Sequence, residues 1–221
     1  MNREADNRYL IITGGTIDYG FLEGYVRQER YDRLICVDLG LKAADDLGLK
    51  VDMIVGDFDT VPDSILNKYK AEGSSTIREF NPEKDATDTE IAIETAIQEG
   101  AGEITLLGAT GTRVDHMLAS ISNLLIPLQY GIAARIVDEH NRIYLIDKPV
   151  QLARESVYGP YLSLIPFTWS VEGVTLTGMK YPLTGHTLVT GESLGISNEI
   201  VEHKGRISLT SGILIVIESK D

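Results

Sequence analysis

The chain carries one cysteine, Cys36, in 221 residues. A single thiol cannot close an intrachain disulfide, which excludes a disulfide-stapled scaffold and fits a reducing compartment. Long hydrophobic runs are also missing. No stretch approaches the roughly 20 apolar residues that a membrane helix needs. The segment Met1-Asn2-Arg3-Glu4-Ala5-Asp6 is too charged for a signal-peptide core. Positive charge is the third shortage: 20 Lys and Arg face 33 Asp and Glu, a net charge of −13. That balance argues against a general binder of nucleic acid or of anionic membranes. A cytoplasmic protein is therefore expected, with no nucleic-acid or membrane partner. An acidic chain can still hold a nucleotide where metal ions and a few local cations neutralise the phosphates.

What is present divides by rhythm. Up to about residue 138, short apolar runs alternate with helical patterns. The runs are Tyr9 to Thr13, Leu34 to Val37, Met53 to Val55, Thr76 to Phe80, Ile104 to Leu107 and Ala134 to Val137. Helices are expected over 20–30, 41–48, 62–72, 86–99 and 114–128. Wholly apolar strands separated by helices predict a doubly wound, mainly parallel sheet covered on both faces. Right-handed crossovers then bring all the strand C-termini to one edge, where ligands bind. After residue 140 helical periodicity fades, and Ile143 to Ile146, Tyr161 to Ile165, Trp169 to Thr177, His186 to Val189, Ile207 to Leu209 and Ile213 to Ile217 read as strands. The expected organisation is an α/β domain over 1–139 and an all-β domain, a sandwich or flattened barrel, over 140–221.

Carboxylates cluster at the edge where the first domain's strands end. Asp57 and Asp59 flank Phe58 after one apolar run, and in an extended segment they share a side. Asp85 and Asp88 stand three apart where a helical pattern begins, placed on or beside its apolar stripe. Either pair can be ordinary: Asp often satisfies turn amides or starts helices. Converging, the four offer the oxygen ligands that Mg²⁺ prefers beside substrate phosphates. Gly14-Gly15-Thr16, Asp38 and Gly108-Ala109-Thr110-Gly111 fall at the same edge. Gly108 and Gly111 open a helix without a Walker lysine or a dinucleotide fingerprint, yet they leave amides free for phosphate oxygens. Arg113 adds a fork-shaped cation nearby, and Asp115 and His116 follow it. Spacing thus points to a metal-dependent enzyme that uses a nucleotide.

The runs Val55-Gly56-Asp57-Phe58-Asp59-Thr60, Lys84-Asp85-Ala86-Thr87-Asp88-Thr89-Glu90 and Gly111-Thr112-Arg113-Val114-Asp115-His116 resemble three signatures of the thiamine pyrophosphokinases. Gly178-Met179-Lys180-Tyr181-Pro182-Leu183 and Gly195-Ile196-Ser197-Asn198-Glu199 resemble two more, in the same order, from about residue 9 to 217. The resemblance implies transfer of the β,γ-pyrophosphoryl group of ATP to the hydroxyl of thiamine, giving thiamine diphosphate and AMP. It also implies an N-terminal α/β domain, a C-terminal β-sandwich and a homodimer with sites shared between chains. By motif, Asp57, Asp59, Asp85 and Asp88 resemble the Mg²⁺- and pyrophosphate-handling acids, and Arg113, Asp115 and His116 a second catalytic loop. Gly14, Gly15, Thr16, Asp38, Lys84, Gly108, Gly111 and Arg113 are the expected ATP contacts. Tyr181 falls where the family places an aromatic ring against thiamine, and Ser197-Asn198 where it holds the pyrimidine. Asp88, then Asp115, is the expected acceptor of the thiamine proton. Leu39, where the family reads Gly in Asp-Gly-Gly, and Thr60, where it reads Ser, depart from the pattern. The alternatives are a related pyrophosphoryl transferase or nucleotide hydrolase on another substrate, and a thiamine- or nucleotide-sensing module without turnover.

Overall fold

The structure, a computed structural model, describes residues 7–80, 85–111 and 113–221. Its contacts separate two compact units, 1–139 and 140–221. In the first, strands β1 (Arg8–Ile12), β2 (Arg33–Val37), β3 (Met53–Gly56), β4 (Thr76–Glu79), β5 (Glu103–Leu107) and β6 (Ala133–Val137) run in the order β4-β3-β2-β1-β5-β6. Every pairing among them is parallel. Consecutive residues of the central strands β1, β2, β3 and β5, such as Leu10, Ile11 and Ile12, are buried, so both faces are covered there and the apolar runs do not alternate. Among the described residues six helices fill the connections: α1 (Tyr19–Gln28), α2 (Gly40–Asp46), α3 (Asp63–Glu72), α4 (Asp88–Gln98), α5 (Val114–Asn123) and α6 (Leu125–Gln129). Their ends carry local chemistry. The Asp18 carboxylate accepts from Phe21 N at 2.7 Å to start α1, and Gly73, at φ 62°, stops α3 in the left-handed region.

Two helical expectations change. The pattern over 114–128 is two helices that meet at Leu124. Pro127 has no N–H to continue α5, but it is tolerated in the first turn of α6, where an N–H is not needed. Helix α4 starts at Asp88 rather than residue 86, because the Thr87 hydroxyl accepts from Glu90 N at 3.2 Å and caps it. Asp85 therefore precedes the helix, and a helical wheel does not place it.

The second unit is a sandwich. One layer is β7 (Asn141–Ile146), β13 (Leu214–Ser219) and β9 (Tyr161–Pro166), in the order β7-β13-β9. The other is β11 (Leu183–Val189), β10 (Ser170–Thr177), β12 (Lys204–Ser208) and β8 (Val150–Ala153), in that order. Both are antiparallel. Leu162, Leu164, Leu214 and Val216 of the first layer share one core with Val171, Val174, Leu176 and Ile207 of the second. Strand β8 was not expected, since Val150-Gln151-Leu152-Ala153 is short and follows Lys148-Pro149. Among the described residues no helix is long and apolar enough to cross a membrane.

Candidate active site

In a parallel sheet, the crevice for a ligand opens where the strand order reverses. Here that point lies between β1 and β5, and the two loops leaving those strands are knitted together. Thr13 N donates to Leu107 O at 2.9 Å, and Gly15 N to Gly108 O at 2.9 Å. Gly15 has no room for a side chain, because a Cβ there would meet the carbonyl oxygens of Gly108 and Thr110. A Cβ on Gly111 would press on Thr16, 2.8 Å from its N and its Oγ1. The glycines permit this close approach, and the same absence of side chains leaves a cleft of about 500 Å³ on the strand-end side. Gly14, Gly15, Asp38, Asp57, Asp88, Gly108, Gly111, Arg113 and His116 line it; Thr16, Asp59, Asp85 and Asp115 do not. Lys84 and Thr112 lie outside the described residues.

Backbone strain sits beside the cleft. Asp38 and Phe58 adopt φ of 45° and 62°, in the left-handed region that few L-residues other than Asn and Asp visit. Phe58 is buried, and its turn replaces the extended segment expected around it. Strand alternation therefore does not bring Asp57 and Asp59 together; the turn does, with Asp59 N donating to Asp57 Oδ1 at 3.2 Å. The charge of Asp57 lifts Asp59 above the usual carboxylate range, with smaller contributions from desolvation, a hydrogen bond to Asp57 and the charge of Asp88. Asp59 thus lies within the field of both other acids. Asp85 is exposed and outside this group. Among the described residues, no three His, Cys, Asp or Glu side chains close into a metal cage. The donor set nonetheless suits Mg²⁺, which commonly takes one or two carboxylates and completes its shell with water and substrate phosphate oxygens.

Arg113 forms a two-point pair with Asp115, Nε to Oδ1 at 3.2 Å and Nη2 to Oδ2 at 2.6 Å. The guanidinium holds the Asp115 carboxyl below its ordinary range, which weakens Asp115 as a proton acceptor. Both side chains are about two-thirds exposed. Leu39 lines the cleft beside Gly14, with 3.4 Å between Leu39 Cβ and a Cβ built on Gly14. Gly40, in contrast, lies against β1, where a Cβ would strike Ile12 O. Of the two glycine positions after Asp38, this chain keeps the one that has no space. Reading the sequence missed Thr87 and Ser120, which also line the cleft. Ser120 was legible: it follows His116 by one helical turn on α5.

The second unit builds a different surface. Tyr181 is 57 % exposed, and Lys180 Nζ lies 5.6 Å from its ring centroid. Ser197 is exposed at φ 55°, while Asn198 is only 5 % exposed. Asn198 Oδ1 accepts from Tyr181 N at 3.0 Å, so these motif residues are joined.

Comparison with known proteins identifies the family of this fold. Residues 27–136 match the family model described as thiamin pyrophosphokinase, catalytic domain, and residues 147–214 the one described as thiamin pyrophosphokinase, vitamin B1 binding domain. A thiamine pyrophosphokinase of Bacillus subtilis is 32% identical over 200 residues, spanning 90% of this chain and 92% of its own. The crystal structure of thiamine pyrophosphokinase from Bacillus subtilis superposes with a TM-score of 0.86 at 31% identity, over 97% of this chain and 100% of that one. The thiamin pyrophosphokinase of Geobacillus thermodenitrificans gives 0.84 at 31% identity, over 97% and 98%.

Proposed function

The chain belongs to the thiamine pyrophosphokinase family, and from that premise we propose that it transfers the β,γ-pyrophosphoryl group of ATP to the hydroxyl of thiamine, releasing AMP. The observation that carries this reading is the cleft at the β1–β5 switch point, where carboxylates, glycine amides and Arg113 meet. The relatives do not favour the hydrolase or sensor alternatives. Phosphoryl transfer asks little covalent chemistry of a protein, so positioning and charge neutralisation carry most of the rate.

Gly14, Gly108 and Gly111 would present backbone N–H groups to the triphosphate, as glycine loops at helix N-termini do, while Gly15, whose N–H is bound to Gly108 O, would border the phosphates and keep the two loops together. Asp38 and Leu39 would border the rest of the nucleotide. Asp57 and Asp59, with Asp88 across the cleft, would hold Mg²⁺; Asp85 is proposed as an outer acid on the same loop. Mg²⁺ bound there would neutralise phosphate charge, including that developing on the departing AMP. Arg113 would exchange its Asp115 partner for phosphate oxygens, gaining a charge-assisted fork. His116 would add a hydrogen-bond donor or acceptor at the cleft wall, and Lys84 and Thr16 complete the proposed nucleotide contacts. Asp88 is the preferred acceptor of the thiamine proton, because it lines the cleft whereas Asp115 is held by Arg113.

Tyr181 and Ser197 would receive thiamine on the β unit, while the acids lie on the α/β unit. We propose a homodimer in which each site draws on both chains, in the cytoplasm. Incubation with ATP, Mg²⁺ and thiamine should yield equal amounts of AMP and thiamine diphosphate; ADP, or AMP formed equally without thiamine, would refute the activity. Mixing inactive Asp88→Asn with a Tyr181→Ala chain, assayed at a thiamine concentration too low for the Tyr181→Ala chain to turn over by itself, tests the sharing. Recovered activity after subunit exchange is expected, and none despite confirmed exchange would place each site within one chain.

A further inference from the structure

The two residues of the Ser197-Asn198 pair face different ways, and their hydrogen bonds separate their roles. A side-chain amide offers two lone pairs on its oxygen and two N–H groups on its nitrogen. All four of Asn198's are taken within the protein. Oδ1 accepts from Tyr181 N at 3.0 Å and from Glu199 N at 2.9 Å. Nδ2 donates to Tyr181 O at 2.8 Å and reaches Met179 Sδ at 3.7 Å. The orientation of the amide is fixed by this set, since a flip would turn its N–H groups toward two backbone donors. The side chain is 5 % exposed, which leaves no face for a ligand.

The backbone beneath it is equally occupied. Asn198 N donates to Leu162 O at 2.9 Å, and Leu162 N to Asn198 O at 2.8 Å, so the residue is bridged to β9 in both directions. One residue earlier, Ser197 N donates to the buried Ser163 hydroxyl oxygen at 3.0 Å. That bond holds Ser197 in its left-handed conformation and leaves its own side chain exposed. Among the described residues, the Ser197 hydroxyl makes no hydrogen bond.

We propose that Asn198 is a positioning residue that clamps the Tyr181 backbone, so that the exposed ring is held for a flat heteroaromatic ligand. Direct contact with the ligand from this motif then falls to Ser197. The inference rests on the reading of Tyr181 as part of the thiamine site. It differs from the role that resemblance gives the pair, because it removes Asn198 from contact with the substrate. Tyr181 N and Tyr181 O belong to the two peptide units that flank its Cα, so holding both fixes the φ and ψ of Tyr181 and with them the direction in which its side chain leaves the backbone. Lys180 Nζ, paired with Glu199 at 2.5 Å, lies over the same ring. Its position leaves the opposite ring face for stacking.

The test is a thermodynamic cycle on the full chain, read by calorimetric titration with thiamine. Tyr181→Ala should weaken thiamine binding by about 5- to 150-fold if stacking on a base is a fair guide. Asn198→Ala should weaken it too, but the double variant should bind within about twofold of Tyr181→Ala alone, because Asn198 then has no ring to position. Losses that multiply in the double variant would overturn the proposal by showing that Asn198 touches the ligand. Should Asn198→Ala fail to fold, Asn198→Asp keeps both accepting bonds, loses the Tyr181 O bond, and is read in the same cycle. Hydrogen exchange supplies a readout that needs no ligand. The Tyr181 and Glu199 amides should exchange slowly in the parent and quickly in the Asn198 variant; unaltered exchange would overturn the clamp. Thiamine affinity unmoved by every variant would instead sink the reading of Tyr181 as a ligand residue, and the proposal with it.

Discussion

Replacing Gly15 by alanine adds one methyl group where the β1 and β5 loops touch. The built Cβ lies 2.6 Å from Thr110 O and closer still to Gly108 O, so the two loops must part. Overpacking of this kind costs about 1–3 kcal/mol, and opening the 2.9 Å bond from Gly15 N to Gly108 O adds about 1 kcal/mol. The sum, about 2–4 kcal/mol, should lower the thermal midpoint by roughly 4–16 °C in a chain of this size. Gly24→Ala is the matched control. Gly24 lies inside α1, and nothing stands within 4 Å of its built Cβ. Alanine there should stabilise by about 0.5–1 kcal/mol, because glycine loses more backbone freedom in a helix. The same chemical change is thus expected to act with opposite sign at two sites. ATP binding, measured alongside, should weaken on the order of tenfold in Gly15→Ala and stay unchanged in Gly24→Ala. Equal midpoints with equal ATP affinity would refute the packing of these loops and the placement of the nucleotide beside them.

Four further outcomes follow from the structure. A raised carboxylate pKa means that ionised Asp59 costs the fold stability above that pKa, chiefly through the charge of Asp57, and that the cost fades as pH falls through it to the ordinary carboxylate value of the unfolded chain. Asp59→Asn should therefore raise the melting temperature near neutrality, by an increment that fades as pH falls through the acid range, while activity is lost; melting curves from about pH 4 to 8 showing no gain, or a constant one, would count against the three-acid field. Asp115→Asn should leave the melting temperature unmoved, since an exposed pair contributes little, and should improve ATP binding by freeing Arg113. Arg113→Lys should lower turnover through loss of two-point geometry, and an Asp115→Asn defect as deep as that of Arg113→Lys would give Asp115 a role of its own. Cys36 is buried in β2, and burial pushes its thiol pKa well up, so a thiol reagent should label it only on the unfolding timescale. Rapid labelling of the native protein would contradict the core packing.

The parallel sheet was legible because Leu10, Ile11 and Ile12, and their counterparts in β2, β3 and β5, are apolar without alternation. The site was legible in part because glycines and acids fall where those runs stop. What escaped depended on groups distant in sequence or on single dihedral angles. The left-handed turn at Phe58 has no composition signal, since a buried phenylalanine there also suits an extended strand. Asp85 was misplaced because a threonine cap outweighed the apolar spacing that suggested an earlier helix start. Glu218 reads as a solvated end of β13, yet it is buried, with Tyr144 Oη donating to it at 2.9 Å and Tyr158 N at 2.6 Å. Its partners arrive from residues more than fifty positions away. Asn198 is the same kind of case: the motif named it, and only the hydrogen bonds to Tyr181 show what occupies its amide.

The most direct measurement is steady-state turnover of Asp57→Asn with ATP, Mg²⁺ and thiamine, alongside thiamine titration and thermal melting of the same variant. If cleft acids carry pyrophosphoryl transfer, kcat/KM should fall roughly a thousandfold or more, with thiamine affinity kept near that of the parent and the melting temperature at or above it, since the charge that opposes Asp59 is removed. Full turnover in Asp57→Asn would show that the acid only forms a turn, and would contradict the account.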